Sequence, residues 1–396
     1  MNVVVYISDA LRADHVGCYG ARSVNTRTLD ELAAGGVRFD QVTTAAPWTA
    51  PSMTSIATAL YPHRHGVFDW GNALGPSVQT LFGRFREADY DVGTFVFDDA
   101  YLFSNVPEAG VQGRSDDLEA VLAWLRDRSR PFLLFVHSWA THMPYNVRHA
   151  DQKDWKAAKR EFIERIRGNR ADDLEACREA YRQAVEYQSE TLVASLLETL
   201  EQLGAGEDTV VAFGADHGES WGERFADKEE VQGVYHLHGA NLHDEILQVP
   251  LILSAPGRLE PGVVRSQVRT VDLMPTLLEL AGLFSAPGVD GESLLPLVRG
   301  EEVGDRLAVS VTSDRGVPSQ LAVRRPPWKV IRRLASDEEE AYRLDVDPRE
   351  RENRSAEAPA DLRAALDAEA ADIELHELTA EEEAVIERRL ADLGYL

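Results

Sequence analysis

The sequence predicts an α/β protein: a doubly wound, mainly parallel sheet with helices on both faces, then a small α+β domain with an antiparallel sheet. Three observations carry this. Short apolar runs rich in β-branched residues alternate with longer amphipathic segments over the first three quarters of the chain. Composition shifts near "PLVRGEEVGDR" (296–306), and short strand-like runs follow at even spacing. A length of 396 residues also exceeds what one hydrophobic core usually serves. Residues 1–300 are therefore read as the large domain and 301–396 as the small one.

In chain order, "NVVVYIS" (2–8), "VGTFVF" (92–97), "PFLLFVHS" (131–138), "DTVVAFGA" (208–215) and "VPLILSAP" (249–256) read as buried strands, because no polar face interrupts them. "TRTLDELAAGG" (26–36), "LFGRFREA" (81–88) and "DDLEAVLAWLRDR" (116–128) read as the helices between, the first with a glycine stop. A helix is expected from about Ser52 to Leu60, and another at "DLMPTLLELAG" (272–282). The charged segment 150–203 has helical period and belongs on the outside of the sheet. In the small domain "LAVSVTS", "SQLAVRR", "WKVIRR" and "AYRLDV" read as a meander, followed by two acidic helices broken near Thr379.

Bulk charge limits the function. With 41 basic and 67 acidic residues the net charge is −26, which disfavours sequence-independent nucleic-acid or anionic-membrane binding. The acidity fits either an acidic cytoplasmic protein or a halophilic one, where salt screens self-repulsion. Arg far outnumbering Lys, and carboxylates spread along the whole chain, favour high salt. Two cysteines, Cys18 and Cys177, support neither a disulfide framework nor a cysteine zinc site. The first apolar run is five residues long and ends in Asp9, too short for a leader or a span, so a cytoplasmic protein without a membrane anchor is expected.

Open α/β sheets bind ligands at the carboxyl ends of their strands. Asp9 ends the first strand, and Asp216 and His217 end the strand "TVVAFGA" in "ADHGE". Thr49, in "PWTAPSMTSIATALYPHRHG", lies before a helix and could converge on them. Two carboxylates, an imidazole and a hydroxyl make a hard-to-borderline metal site. Taken singly, Asp9 reads as a turn residue and Thr49 as an N-terminal cap. Arg12 and Arg64, with His142 in "THMPY", are anion-sized donors. Six of the eleven histidines (63, 65, 142, 236, 238 and 243) fall in three short segments beside expected loops.

These segments resemble the sulfatase branch of the alkaline phosphatase superfamily. The likeness rests on "SDALRADHVGCYG", "TLDELAAGGVRFDQ", "PWTAPSMTSIATALYPHRHGV", "ADHGE", "HGANLHDEILQVPLIL", "TVDLMPTLLELAGL", "DGESLLPLVRGE" and "AYRLDVDPRERENR", in that order. The resemblance implies an alkaline phosphatase-like fold and a hydrolase of sulfate, phosphate or phosphonate esters using one divalent metal ion (Mn, Zn, Ca or Mg). It implies Asp9, Thr49, Asp216 and His217 as metal ligands, Thr49 as nucleophile, and Arg64, His142 and His238 as contacts to the ester. Its expected partner is a small anionic ester; self-association into a homo-oligomer is left open.

Three departures qualify the likeness. Where the family carries Cys or Ser in Cys/Ser-x-Pro-x-Arg, this chain has Thr49, Ala50, Pro51, Ser52 and Met53. Threonine bears a methyl on its β-carbon and cannot mature to formylglycine. Ser8 and Ala140 stand where many members carry aspartates. The Asp–Thr–Asp–His set instead resembles phosphodiesterases and lipid-headgroup phosphotransferases of the superfamily. The expectation is thus a formylglycine-independent phosphate mono- or diesterase, with a non-catalytic anion-binding protein as the alternative.

Overall fold

A computed structural model describes residues 1–69, 72–97, 103, 106–145, 155–167, 171–221, 237–284, 287–302, 304–314, 316–374, 384 and 388. His236 and Thr379 lie outside these residues. Eight strands form the large sheet: β1 (Asn2–Ser8), β2 (Val37–Thr43), β3 (Asp91–Val96), β4 (Val111–Arg114), β5 (Phe132–Ser138), β6 (Thr209–Ala215), β7 (Leu251–Ser254) and β8 (Gly262–Arg269). Their order is β4-β3-β5-β1-β6-β7-β2-β8. Among these, only β7 runs antiparallel to its neighbours, β6 and β2.

The central strands β5, β1 and β6 are the apolar runs of the sequence. Phe132–Ser138 and Thr209–Ala215 are buried at every position, so helices cover both faces of the sheet there. Three strands lack a continuous apolar run, for two different reasons. β2 alternates charges that pair with each other, Arg38 with Asp40 at 2.8 Å. β4 and β8 lie at the two edges of the sheet, where polar side chains reach solvent. The helix Leu118–Arg126 shows how local sequence sets an element. Asp117 accepts from the Ala120 amide at 3.0 Å as its cap, and Val121, Leu122 and Leu125 form its buried face. The expected helical region 150–203 contains Trp155–Arg167, Ala171–Tyr187 and Ala194–Gln202, with a π turn at Gln188–Val193. No helix among the described residues is long and apolar enough to cross a membrane.

The second sheet is antiparallel: β9 (Ala308–Asp314), β10 (Val317–Arg325), β11 (Trp328–Arg333) and β12 (Glu339–Arg343), in the order β12-β11-β10-β9. Val309, Val311, Leu321, Val323 and Val330 form its core with Leu362 and Leu366 of the helix Ala360–Ala371. The sheet braces two segments of the large domain. The Val311 amide donates to the Ala45 carbonyl at 3.0 Å, and the Ser310 hydroxyl to that of Thr44 at 2.6 Å. Gln320 Nε2 donates to the Ala240 carbonyl at 2.9 Å.

A buried charge cluster completes the brace. Lys329 Nζ, fully buried, lies 2.8 Å from Asp244 Oδ1 and 2.6 Å from Glu350 Oε1. Burial alone would raise the Asp244 carboxyl, but Arg324 and Lys329 beside it hold it well below the usual carboxylate range. Its contribution to stability is therefore full above the unfolded carboxylate pKa and lost as pH falls through the depressed value. Lys329→Met leaves Glu350 and Asp244 without that cation, and is expected to cost about 3–5 kcal/mol. Denaturant unfolding would show a lower midpoint at unchanged slope. A loss under about 1 kcal/mol, the worth of an exposed pair, would overturn this reading of the cluster.

Candidate active site

The three adjacent strands β5, β1 and β6 build the site at their carboxyl ends. Register explains how. Ser8 pairs with Ser138 and Ala215, and Ile7 pairs with His137. One step beyond, Asp9 and Asp216 emerge side by side. Ile7 and Asp9 are two positions apart, so strand alternation puts His137, the partner of Ile7, on the same face as Asp9. His137 Nε2 lies 3.5 Å from Asp9 Oδ2 and 3.4 Å from Asp216 Oδ2. Asp216 is fixed by the Ala10 and His217 amides, which donate to its Oδ1 at 3.1 and 2.8 Å.

His217 Nδ1 sits 2.8 Å from the Gly218 carbonyl, which can only accept, so Nδ1 carries the proton and Nε2 offers its lone pair. Nε2 points at Asp9 Oδ1, 3.4 Å away, and at Asp216 Oδ2, 3.6 Å away. Burial pushes this imidazole down to about 4, which keeps it neutral near pH 7. Gly218 lets the turn approach the segment behind it. A Cβ there would lie 2.3 Å from the Glu245 carbonyl oxygen.

Thr49 opens the helix Thr49–Thr58, which starts three residues earlier than expected. Pro51 is tolerated in that first turn because its missing N–H has no intrahelical partner anyway. Trp48 holds the cap position without a side-chain capping bond, so Thr49 is not the helix cap. Its hydroxyl lies instead 3.3 Å from Asp9 Oδ2 and 3.4 Å from His217 Nε2. Ser52 and Thr44 anchor the turn by donating to the Asp216 carbonyl at 2.6 and 2.5 Å. Met53 is fully buried in the main core.

The ring of His238 is centred 4.6 Å from that of His217 and 5.3 Å from that of His142. His142 stacks on Trp139 at 4.2 Å, and Trp139 on Phe97 at 4.1 Å, forming an aromatic wall beside the polar cluster.

Other expected residues do not join. The Arg64 guanidinium, 44% exposed, is taken by Asp290 at 3.0 Å and by the Gly288 carbonyl, so this candidate ester contact is engaged elsewhere. His63 pairs with Glu369 at 3.2 Å, His65 meets Ser55 at 3.0 Å, and His243 meets Asn241 and Tyr342. Arg12 reaches Asp14 and the Glu219 carbonyl. Ser8, which replaces an expected carboxylate, spends its hydroxyl on Thr141 at 2.6 Å and Gln188 at 2.9 Å, in a neutral buried network.

His137 lies inside a strand and not at its end, so the rule that places ligands at strand ends does not single it out in the sequence. The signal was there: a lone histidine one place before the end of a buried, mainly apolar strand. Its ring nitrogens and Asp216 Oδ2 have no hydrogen-bond partner among the described residues. Ligand atoms of Asp9, His137 and Asp216 lie within 4.8 Å of one another, all buried. Two carboxylates this close and dry carry a large desolvation and repulsion cost that a divalent cation would offset, so the residues present fit one.

A mainly parallel sheet whose neighbouring strand ends gather carboxylates, imidazoles and a helix-borne hydroxyl defines an alkaline phosphatase-like α/β protein. The Sulfatase family model matches residues 1–283, and the chain belongs to the sulfatase family. A second model, N-sulphoglucosamine sulphohydrolase, C-terminal, matches residues 237–374. The chain is 25% identical over 356 residues to an ulvan-active sulfatase of Formosa agariphila, covering 85% of this chain and 66% of that protein. It is 25% identical over 418 residues to a Delta 4,5-hexuronate-2-O-sulfatase of Bacteroides thetaiotaomicron, covering 89% and 84%. It spans 34% and 61% of the length of two further curated relatives. The crystal structure of the phosphonate monoester hydrolase of Agrobacterium radiobacter superposes with a TM-score of 0.72 at 21% identity, covering 98% of this chain and 95% of that one.

Proposed function

We propose that this chain is a metal-dependent hydrolase that cleaves a phosphate mono- or diester, with a sulfate ester less favoured, and that Thr49 is its nucleophile. One observation carries the reading. The Thr49 hydroxyl is turned away from helix capping and onto Asp9 and His217. The likeness to a phosphonate monoester hydrolase supports phosphorus as the electrophile.

Asp9, Asp216, Thr49 and His217, with His137 beside them, would hold the cation. Two imidazoles among the donors favour zinc or manganese over calcium. Such an ion, when bound, lowers the pKa of a coordinated hydroxyl and draws charge from the ester's oxygens. The chain's own residues do the rest. Thr49 releases its hydroxyl proton to solvent, Oγ1 attacks phosphorus in line, and the bond to the leaving oxygen breaks. His142 or His238 gives that oxygen a proton. Water then releases phosphate from the phosphothreonine. A sulfate on threonine has no geminal hydroxyl to expel it, which is why sulfate esters rank second.

The test is a panel of aryl and alkyl phosphate mono- and diesters and aryl sulfate, assayed with added Mn²⁺ or Zn²⁺. Acid-quenched single-turnover samples are then mapped by mass spectrometry. Turnover of a phosphate ester with phosphate trapped on Thr49 is expected. A protein inert towards the whole panel that still binds phosphate would instead be the non-catalytic anion binder.

A further inference from the structure

Glu219 is a fully buried carboxylate that the mechanism above leaves without a task. Both of its oxygens are spent inside the fold. Oε1 lies 2.9 Å from His238 Nδ1, and Oε2 accepts from the Tyr145 hydroxyl at 2.9 Å. That hydroxyl in turn accepts from Trp221 Nε1 at 3.0 Å. The Tyr181 ring packs on both Tyr145 and Trp221, 5.1 and 4.8 Å between centroids. Burying a carboxylate is costly unless it is satisfied, and here the satisfaction includes one imidazole of the site. An ionised carboxylate only accepts, so Nδ1 of His238 must carry the proton. Nε2 is then the nitrogen left for chemistry.

We propose that Glu219 is a positioning residue that holds His238 with Nδ1–H inward and Nε2 towards the leaving oxygen, equipping the site for unactivated alkyl phosphate esters. The inference rests on the ester-hydrolase reading. His238 enters the first half-reaction protonated on both nitrogens; the electron pair of the breaking P–O bond goes to the leaving oxygen, which takes the proton from Nε2. The Nδ1 proton stays on its bond to Glu219. In the second half, Nε2 takes a proton from the water that attacks phosphothreonine, and His238 is restored. An alkoxide is a far poorer leaving group than a nitrophenolate, so the benefit falls on alkyl esters.

The experiment compares glycerol phosphate with 4-nitrophenyl phosphate for wild type, Glu219→Ala, Glu219→Gln, His238→Ala and the Glu219→Ala/His238→Ala double variant, all with added Mn²⁺. Glu219→Ala is expected to lower kcat on the alkyl ester by about 100-fold and on the aryl ester by less than about 5-fold. Glu219→Gln, whose amide oxygen still accepts from Nδ1–H, should recover most of that loss and serves as the folded control. The double variant should be no slower than His238→Ala, because the two act as a unit. Equal losses on both esters, additive losses, or no recovery by Gln would overturn the role of Glu219 while leaving ester hydrolysis in place. A wild type inert on both esters would bring down the ester-hydrolase reading and this inference with it.

Discussion

Thr49→Ala is expected to lose about 10³-fold or more in kcat on phosphate esters while folding as stably as the wild type. The two halves of this expectation come from one geometric fact. A threonine that capped its helix would donate stability through a bond from a first-turn amide, and its loss would cost about 1 kcal/mol. Thr49 makes no such bond; Trp48 holds the cap position, and the hydroxyl faces Asp9 and His217. Alanine is also a better helix former than threonine, so the change in stability should stay within about 0.5 kcal/mol. Thr49→Ser keeps an oxygen at the same place and should keep activity within about tenfold. Thermal unfolding with steady-state kinetics on all three proteins decides the matter. A Thr49→Ala protein that melts early yet keeps its activity would make Thr49 a structural residue after all.

The residues that could be read from sequence were those where chemistry interrupts a pattern. Asp9 and the Asp216–His217 pair stood out because they end apolar runs, and β1 and β6 were legible for the same reason. Thr49 stood out through the segment around it. What stayed hidden depended on pairing. His137 acquires its place only once β5 is set beside β1 in a register that faces it towards Asp9. Arg64 looked available because Asp290, which engages it, lies 226 residues away in sequence. Glu219 passed as the last letter of a motif until its link to His238, 19 residues on, was visible. The edge strands β4 and β8 were hidden because exposure on one side relaxes the demand for apolar residues.

Asp216→Asn is expected to separate the metal-free protein from the metal-bound one by moving their stabilities in opposite directions. Burial alone would raise the Asp216 carboxyl, but His217 and His137 beside it hold it below its ordinary value, so it is charged next to Asp9. Without a cation, two buried carboxylates repel each other. Removing one charge relieves that strain, and the amide oxygen can still accept from the Ala10 and His217 amides. The metal-free variant should therefore be at least as stable as the wild type. With metal the order reverses. At free ion 100 times its Kd the wild type gains about 2.7 kcal/mol by mass action. A variant binding about 100-fold more weakly, the loss expected from removing a charged ligand, gains only about 0.4 kcal/mol at the same concentration. Thermal or denaturant unfolding across a Zn²⁺ or Mn²⁺ titration reads both effects without any substrate. Equal metal stabilisation of the two proteins would remove Asp216 from the ligand set. A wild type that gains nothing from either ion would mean that Asp9, Asp216 and His137 settle their charges among themselves.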